Sequence, residues 1–153
     1  MNNPDVLKKL CKLAQLDIDA VQAYEQAIKN IDIQIIKTRL IEFQNDHRRH
    51  ITDLNTLIIG FGGEAVKETA DLKGLLIEGF TALRSITGTE GSLKAMRGNE
   101  QLTNKTYDEV LAENELPENA RLVIIKNRDD ERRHLNYIEK TLEEEPWQLE
   151  KAQ

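Results

Sequence analysis

Two stretches decide the fold: Asp46-His47-Arg48-Arg49-His50 and Asp130-Glu131-Arg132-Arg133-His134. They read DHRRH and DERRH, and they hold all three histidines of the 153-residue chain. In a helix, residues three apart share a face and the residues between them do not. His47 and His50 therefore point together, as do Glu131 and His134, with the intervening arginines turned away.

The apolar residues around each stretch say which way the histidines face. Ile36, Leu40, Phe43, His47, His50, Leu54 and Leu57 step by threes and fours, the seam of a helix over about 33–59. Ala120, Ile124, Asn127, Glu131, His134, Ile138 and Leu142 form the same seam over about 118–144. Such spacing belongs to helices packed nearly antiparallel. Gly60-Phe61-Gly62-Gly63 ends one helix and Pro146 the other. Seam positions are about two in seven of a helix, so three histidines would all fall there by chance roughly once in 40.

Two more helices share the pattern. The first begins near Pro4-Asp5 and runs to about Asn30, with seam Leu7, Leu10, Ala14, Asp17, Val21, Tyr24, Ile28 and Ile31. The third follows Gly88-Thr89-Glu90-Gly91 and runs to about Glu113, with seam Leu93, Met96, Glu100, Thr103, Tyr107 and Val110. Each carries one carboxylate, Asp17 or Glu100, where an apolar residue is expected. A buried carboxylate requires a partner. Asp19 points elsewhere, toward the surface. Residues 64–90 form one long connection with its own apolar-faced helix, about 71–86 (Leu72, Leu75, Leu76, Phe80, Leu83, Ile86). A single long crossover between the second and third helices is a ferritin-like layout. The expectation is an all-α, antiparallel four-helix bundle over 1–146, followed by a loosely ordered tail, 147–153, from which Trp147 packs back.

The two halves echo one another. Asp17 precedes Tyr24 by the spacing at which Glu100 precedes Tyr107, and His50 and His134 follow those tyrosines at nearly equal intervals. In carboxylate-bridged dimetal bundles, two helices give one carboxylate each and two give a carboxylate with a histidine three residues later. The candidate ligands are Asp17, His47, His50, Glu100, Glu131 and His134. Histidine and carboxylate donors suit iron or manganese, with zinc as an alternative. His47 stands where a second bridging carboxylate is expected, which favours a single metal or two unlike sites. The other reading is a metal-free polar network in which acids and histidines satisfy each other. Asp46 and Asp130, four residues before His50 and His134, either hydrogen-bond those histidines or pair with arginines. Tyr24 and Tyr107 either hydrogen-bond ligands or are core.

Composition excludes other classes. The formal charge is −6, no basic cluster stands free of acids, and no apolar run reaches a membrane span. Nucleic-acid and membrane partners are therefore not expected. The lone Cys11 is consistent with a reducing cytoplasm and a structural thiol. The apolar crossover face supports an alternative role, as a dimerisation or partner-binding module. No nucleophile or substrate pocket is legible, so no reaction follows from the sequence.

The layout resembles the ferritin-like superfamily of ferritins, rubrerythrins and di-iron oxidases. It is most similar to a family of small bacterial ferritin-like proteins. The residues that carry the likeness are Asp19-Ala20-Val21-Gln22-Ala23-Tyr24, Asp46 to His50, Gly62-Gly63 and Gly98-Asn99-Glu100. The resemblance implies ligand roles for Glu100, Glu131 and His134, and supports His50. It points to Asp19 rather than Asp17 on the first helix. His47 departs from the Glu-x-x-His pattern of the superfamily.

Overall fold

The computed structural model describes residues 1–68 and 88–151. The crossover helix expected over 71–86, and with it the proposed interaction face, lies outside the described residues. Four long helices form the bundle: α1 (Asn3–Lys29), α2 (Gln34–Gly60), α3 (Thr89–Leu111) and α4 (Glu118–Glu144). A short α5 (Pro146–Lys151) follows. Where a loosely ordered tail was expected, the chain thus re-enters a helix. Its Trp147 is buried among Ala23, Tyr24, Phe43 and Ile138.

Local chemistry sets the helix ends. Asn2 caps α1 by accepting from the Asp5 backbone N–H at 3.0 Å. At the end of α2, Gly62 N–H donates to Ile59 O (3.0 Å) and Gly63 N–H to Ile58 O (2.9 Å). These are the two bonds of a Schellman stop. Gly62 supplies the left-handed backbone (φ 87°), and a Cβ on Gly63 would come within 2.7 Å of Leu7.

Helices α1 and α2 form one hairpin, α3 and α4 another, with α1 on α3 and α2 on α4. Contacts at the two ends fix the direction of α3. Asp32, just beyond α1, donates its N–H to Thr89 at the start of α3 (3.0 Å). At the other end, the Met1 amino group meets Glu115 (2.6 Å) and Lys9 meets Glu113 (3.0 Å). So α3 runs antiparallel to α1 and parallel to α2, and the order is up-down-down-up. Gly60 and Gly88 thus stand at opposite ends of the bundle, about 40 Å apart for a helix of this size.

The core has apolar ends and a polar middle. One cluster gathers Tyr24, Ile36, Leu40, Phe43, Leu93, Met96, Ile138 and Trp147. The other gathers Leu10, Leu13, Leu54, Ile58, Tyr107, Val110 and Ile124. Among the described residues no helix is long and apolar enough to cross a membrane.

Candidate metal centre

Asp17, His47, His50, Glu100, Glu131 and His134 are all fully buried and lie in one layer between the apolar ends. Asp19 does not join them. It is half-buried beside Lys12 and Lys105 in a surface cleft, and accepts from Gln15 Nε2 at 2.9 Å. Burial raises its carboxyl to about 6. Between the two first-helix aspartates, the structure therefore places Asp17 in the core.

The six residues make two overlapping groups. Asp17, His47, His50 and Glu131 form one; His47, Glu100, Glu131 and His134 form the other. In the first, Asp17 Oδ1 lies 2.7 Å from His47 Nδ1 and 3.0 Å from His50 Nδ1. Glu131 Oε1 lies 3.3 and 3.2 Å from the same two nitrogens. In the second, Glu100 Oε1 lies 3.0 Å from His47 Nε2 and 3.3 Å from His134 Nδ1. Donors about 2.0–2.2 Å from one metal ion stand roughly 3.0–3.4 Å from each other, a window that holds every one of these spacings except the 2.7 Å hydrogen-bonded pair of Asp17 and His47.

The surroundings orient each donor. His50 Nε2 meets Asp130 Oδ2 at 2.9 Å, and His134 Nε2 meets Asp46 Oδ2 at 2.8 Å. Each aspartate serves the histidine on the facing helix, not the one four residues along its own. With Nε2–H donated outward, Nδ1 is the ring nitrogen turned to the core, and on loss of its proton its lone pair would face a metal ion. The arginine pairing expected as the alternative is present as well. Arg133 bonds Asp46 (3.0 Å) and Asp130 (2.8 Å), and Arg49 bonds the same two acids. The tyrosines cross over too. Tyr107 Oη donates to Asp17 Oδ2 (2.5 Å), and Tyr24 Oη donates to Glu100 Oε1. Thr103, a seam residue left out of the candidate set, lies 3.1 Å from carboxylate oxygens of both Glu100 and Glu131. Its position three residues after Glu100 on the same face was the available signal.

The charges balance internally. Burial pulls His47 down, but Glu100 and Asp17 outweigh it and push its ring up to about 10. Burial raises Asp17, but bonds from His47 and His50 bring it down to about 2. Glu100 is held well below the usual carboxylate range despite its burial, by His47 and His134. Glu131 goes the other way. Burial and the neighbouring charges of Glu100 and Asp17 push it well up.

Two ligand-type atoms are left over. Glu131 Oε1 and His134 Nδ1 are buried and make no well-directed hydrogen bond; Glu131 Oε1 only stands 3.3 and 3.2 Å from His47 and His50 Nδ1, and His134 Nδ1 3.3 Å from Glu100 Oε1. An unsatisfied buried polar atom costs about 1–3 kcal/mol. Both atoms belong to the donor groups, so the residues present fit a metal ion.

Fold and site together define the class: an all-α four-helix bundle whose core holds a buried His/Asp/Glu cluster able to ligate metal. A family model described as Domain of unknown function (DUF2383) matches residues 5–113, and the chain belongs to that family. The match takes in Asp17, His47, His50 and Glu100 and ends before α4. No curated protein matches the chain.

Proposed function

We propose that this chain is a ferritin-like metal-binding protein that holds iron or manganese, with zinc as the alternative, among Asp17, His47, His50, Glu100, Glu131 and His134. The observation that carries the reading is the pair of overlapping, fully buried groups of nitrogen and oxygen donors, in which Glu131 Oε1 and His134 Nδ1 make no well-directed hydrogen bond. Supporting it is the outer layer: Asp46, Asp130, Tyr24, Tyr107 and Thr103 each hold a donor in one orientation. Bound iron or manganese would supply redox chemistry toward dioxygen or peroxide, consistent with an oxidase or peroxide-handling role. The protein's own part is to fix the ring nitrogens inward, exclude bulk water and keep Asp17 and Glu100 anionic.

Elemental analysis after reconstitution with iron, manganese or zinc tests this. Bound metal that disappears in a His50→Ala/His134→Ala variant of unchanged helix content supports it, and a metal-free wild-type protein sinks it. A second reading has its own observation: His47 already joins Asp17 at 2.7 Å and Glu100 at 3.0 Å. On that reading the layer is a metal-free polar network in a helical module that binds a partner or a second copy of itself.

A further inference from the structure

We propose that His47 is a bridging ligand: its Nδ1 serves one metal ion and its Nε2 a second, with the Glu131 carboxylate as the other bridge. The proposal rests on the metal-binding reading above and adds the number of ions and the way they are joined.

Only His47 and Glu131 belong to both donor groups. Each turns a different atom to each group. His47 Nδ1 faces Asp17 Oδ1 at 2.7 Å and Glu131 Oε1 at 3.3 Å, while its Nε2 faces Glu100 Oε1 at 3.0 Å. Glu131 Oε1 lies 3.2 Å from His50 Nδ1, and its Oε2 lies 3.7 Å from His134 Nδ1. His47 and Glu131 occupy matching places in the two halves, each three residues before a histidine. The exchange of carboxylate for imidazole therefore replaces one two-ended donor with another.

His47 also differs from the other two histidines. His50 and His134 each give Nε2 to an outer aspartate, as terminal metal ligands do. His47 has carboxylates of the inner layer at both ring nitrogens. The charges agree. Two divalent ions against three carboxylates and a bridging imidazolate leave a neutral core, which a fully buried site favours. The nitrogens of a five-membered ring diverge more widely than carboxylate oxygens. The two ions should therefore stand farther apart than the roughly 3.5–4 Å of common two-metal sites.

The test loads the full chain with Mn²⁺ or Zn²⁺ and reads metal per chain, the Mn²⁺ electron paramagnetic resonance spectrum and metal–metal scattering in the Zn²⁺ form. Expected are two ions per chain, a spin-coupled Mn²⁺ pair, and no metal–metal scattering at about 4 Å or less. In His47→Gln, which leaves only the Glu131 bridge, the coupling should change markedly from the wild-type value. In His47→Glu, which restores a carboxylate, two ions should remain and draw closer. One ion per chain, a close pair in the wild type, or coupling unchanged in His47→Gln overturns the bridge and leaves the metal reading standing. No bound metal at all overturns both. If His47→Gln fails to fold, the wild-type stoichiometry and scattering still decide.

Discussion

Asp46 and His134, 88 residues apart in sequence, are joined by a 2.8 Å hydrogen bond across α2 and α4, and Asp130 and His50 repeat the bond in mirror order at 2.9 Å. Each outer acid thus ties the two hairpins together while orienting a candidate ligand on the opposite helix. Replacing either by asparagine keeps the size but removes the negative acceptor. Asp46→Asn and Asp130→Asn should each lower metal affinity about 10–100-fold. Competition with a chromophoric chelator measures this. Unchanged affinity in both variants would mean that the arginines, not the histidines, are what these acids serve.

The metal-free protein should lose stability as pH rises. His47 has a folded pKa of about 10 against an ordinary 6.5. Its contribution is full below 6.5 and declines through 10, at up to about 1.4 kcal/mol per pH unit. Glu131, also raised, acts in the same direction. Asp17, lowered to about 2, contributes above its ordinary 3.8 and is lost as pH falls through 2. With chelator present, the urea midpoint should therefore be higher at about pH 5.5 than at about pH 8.5. A flat profile would show that His47 is not held as a cation between Asp17 and Glu100.

Metal should reverse that trend, because ions compete with protons for the same donors. Adding metal at about 100 times its dissociation constant should stabilise the fold by about 2.7 kcal/mol. Chelator should remove that gain, as read in the thermal midpoint. The gain should grow from weakly acid to weakly alkaline pH.

Tyr107→Phe removes the hydroxyl that donates to Asp17 Oδ2 at 2.5 Å and leaves that oxygen short of a partner in the dry core. The cost should be about 1–3 kcal/mol in denaturant unfolding. Tyr24→Phe should act alike on Glu100. Neither change should alter helix content.

Gly63→Ala tests the junction where α2 packs over the start of α1. The new methyl meets Leu7 at 2.7 Å and Ile58 at 3.0 Å. Overpacking of this kind costs about 1–3 kcal/mol. Gly60→Ala, where a Cβ meets nothing within 4 Å, is the control and should be close to neutral or stabilising in thermal unfolding.

The sequence alone determined the register. Apolar residues at threes and fours place His47, His50, Glu131 and His134 on buried faces, because a helix has one period and a side chain cannot leave its face. The same rule pointed to Asp17 as the inward aspartate while the family likeness pointed to Asp19, and the structure decided for Asp17. What the period cannot say is which helix faces which at a given level. Pairing of Asp46 with His134, of Tyr24 with Glu100 and of Tyr107 with Asp17 depends on two hairpins meeting in one orientation. Only contacts between residues distant in sequence fix that orientation. For the same reason DHRRH and DERRH, alike in sequence and on separate helices, are read correctly only together. The tertiary structure sets His47 between the two donor groups, with one ring nitrogen toward each.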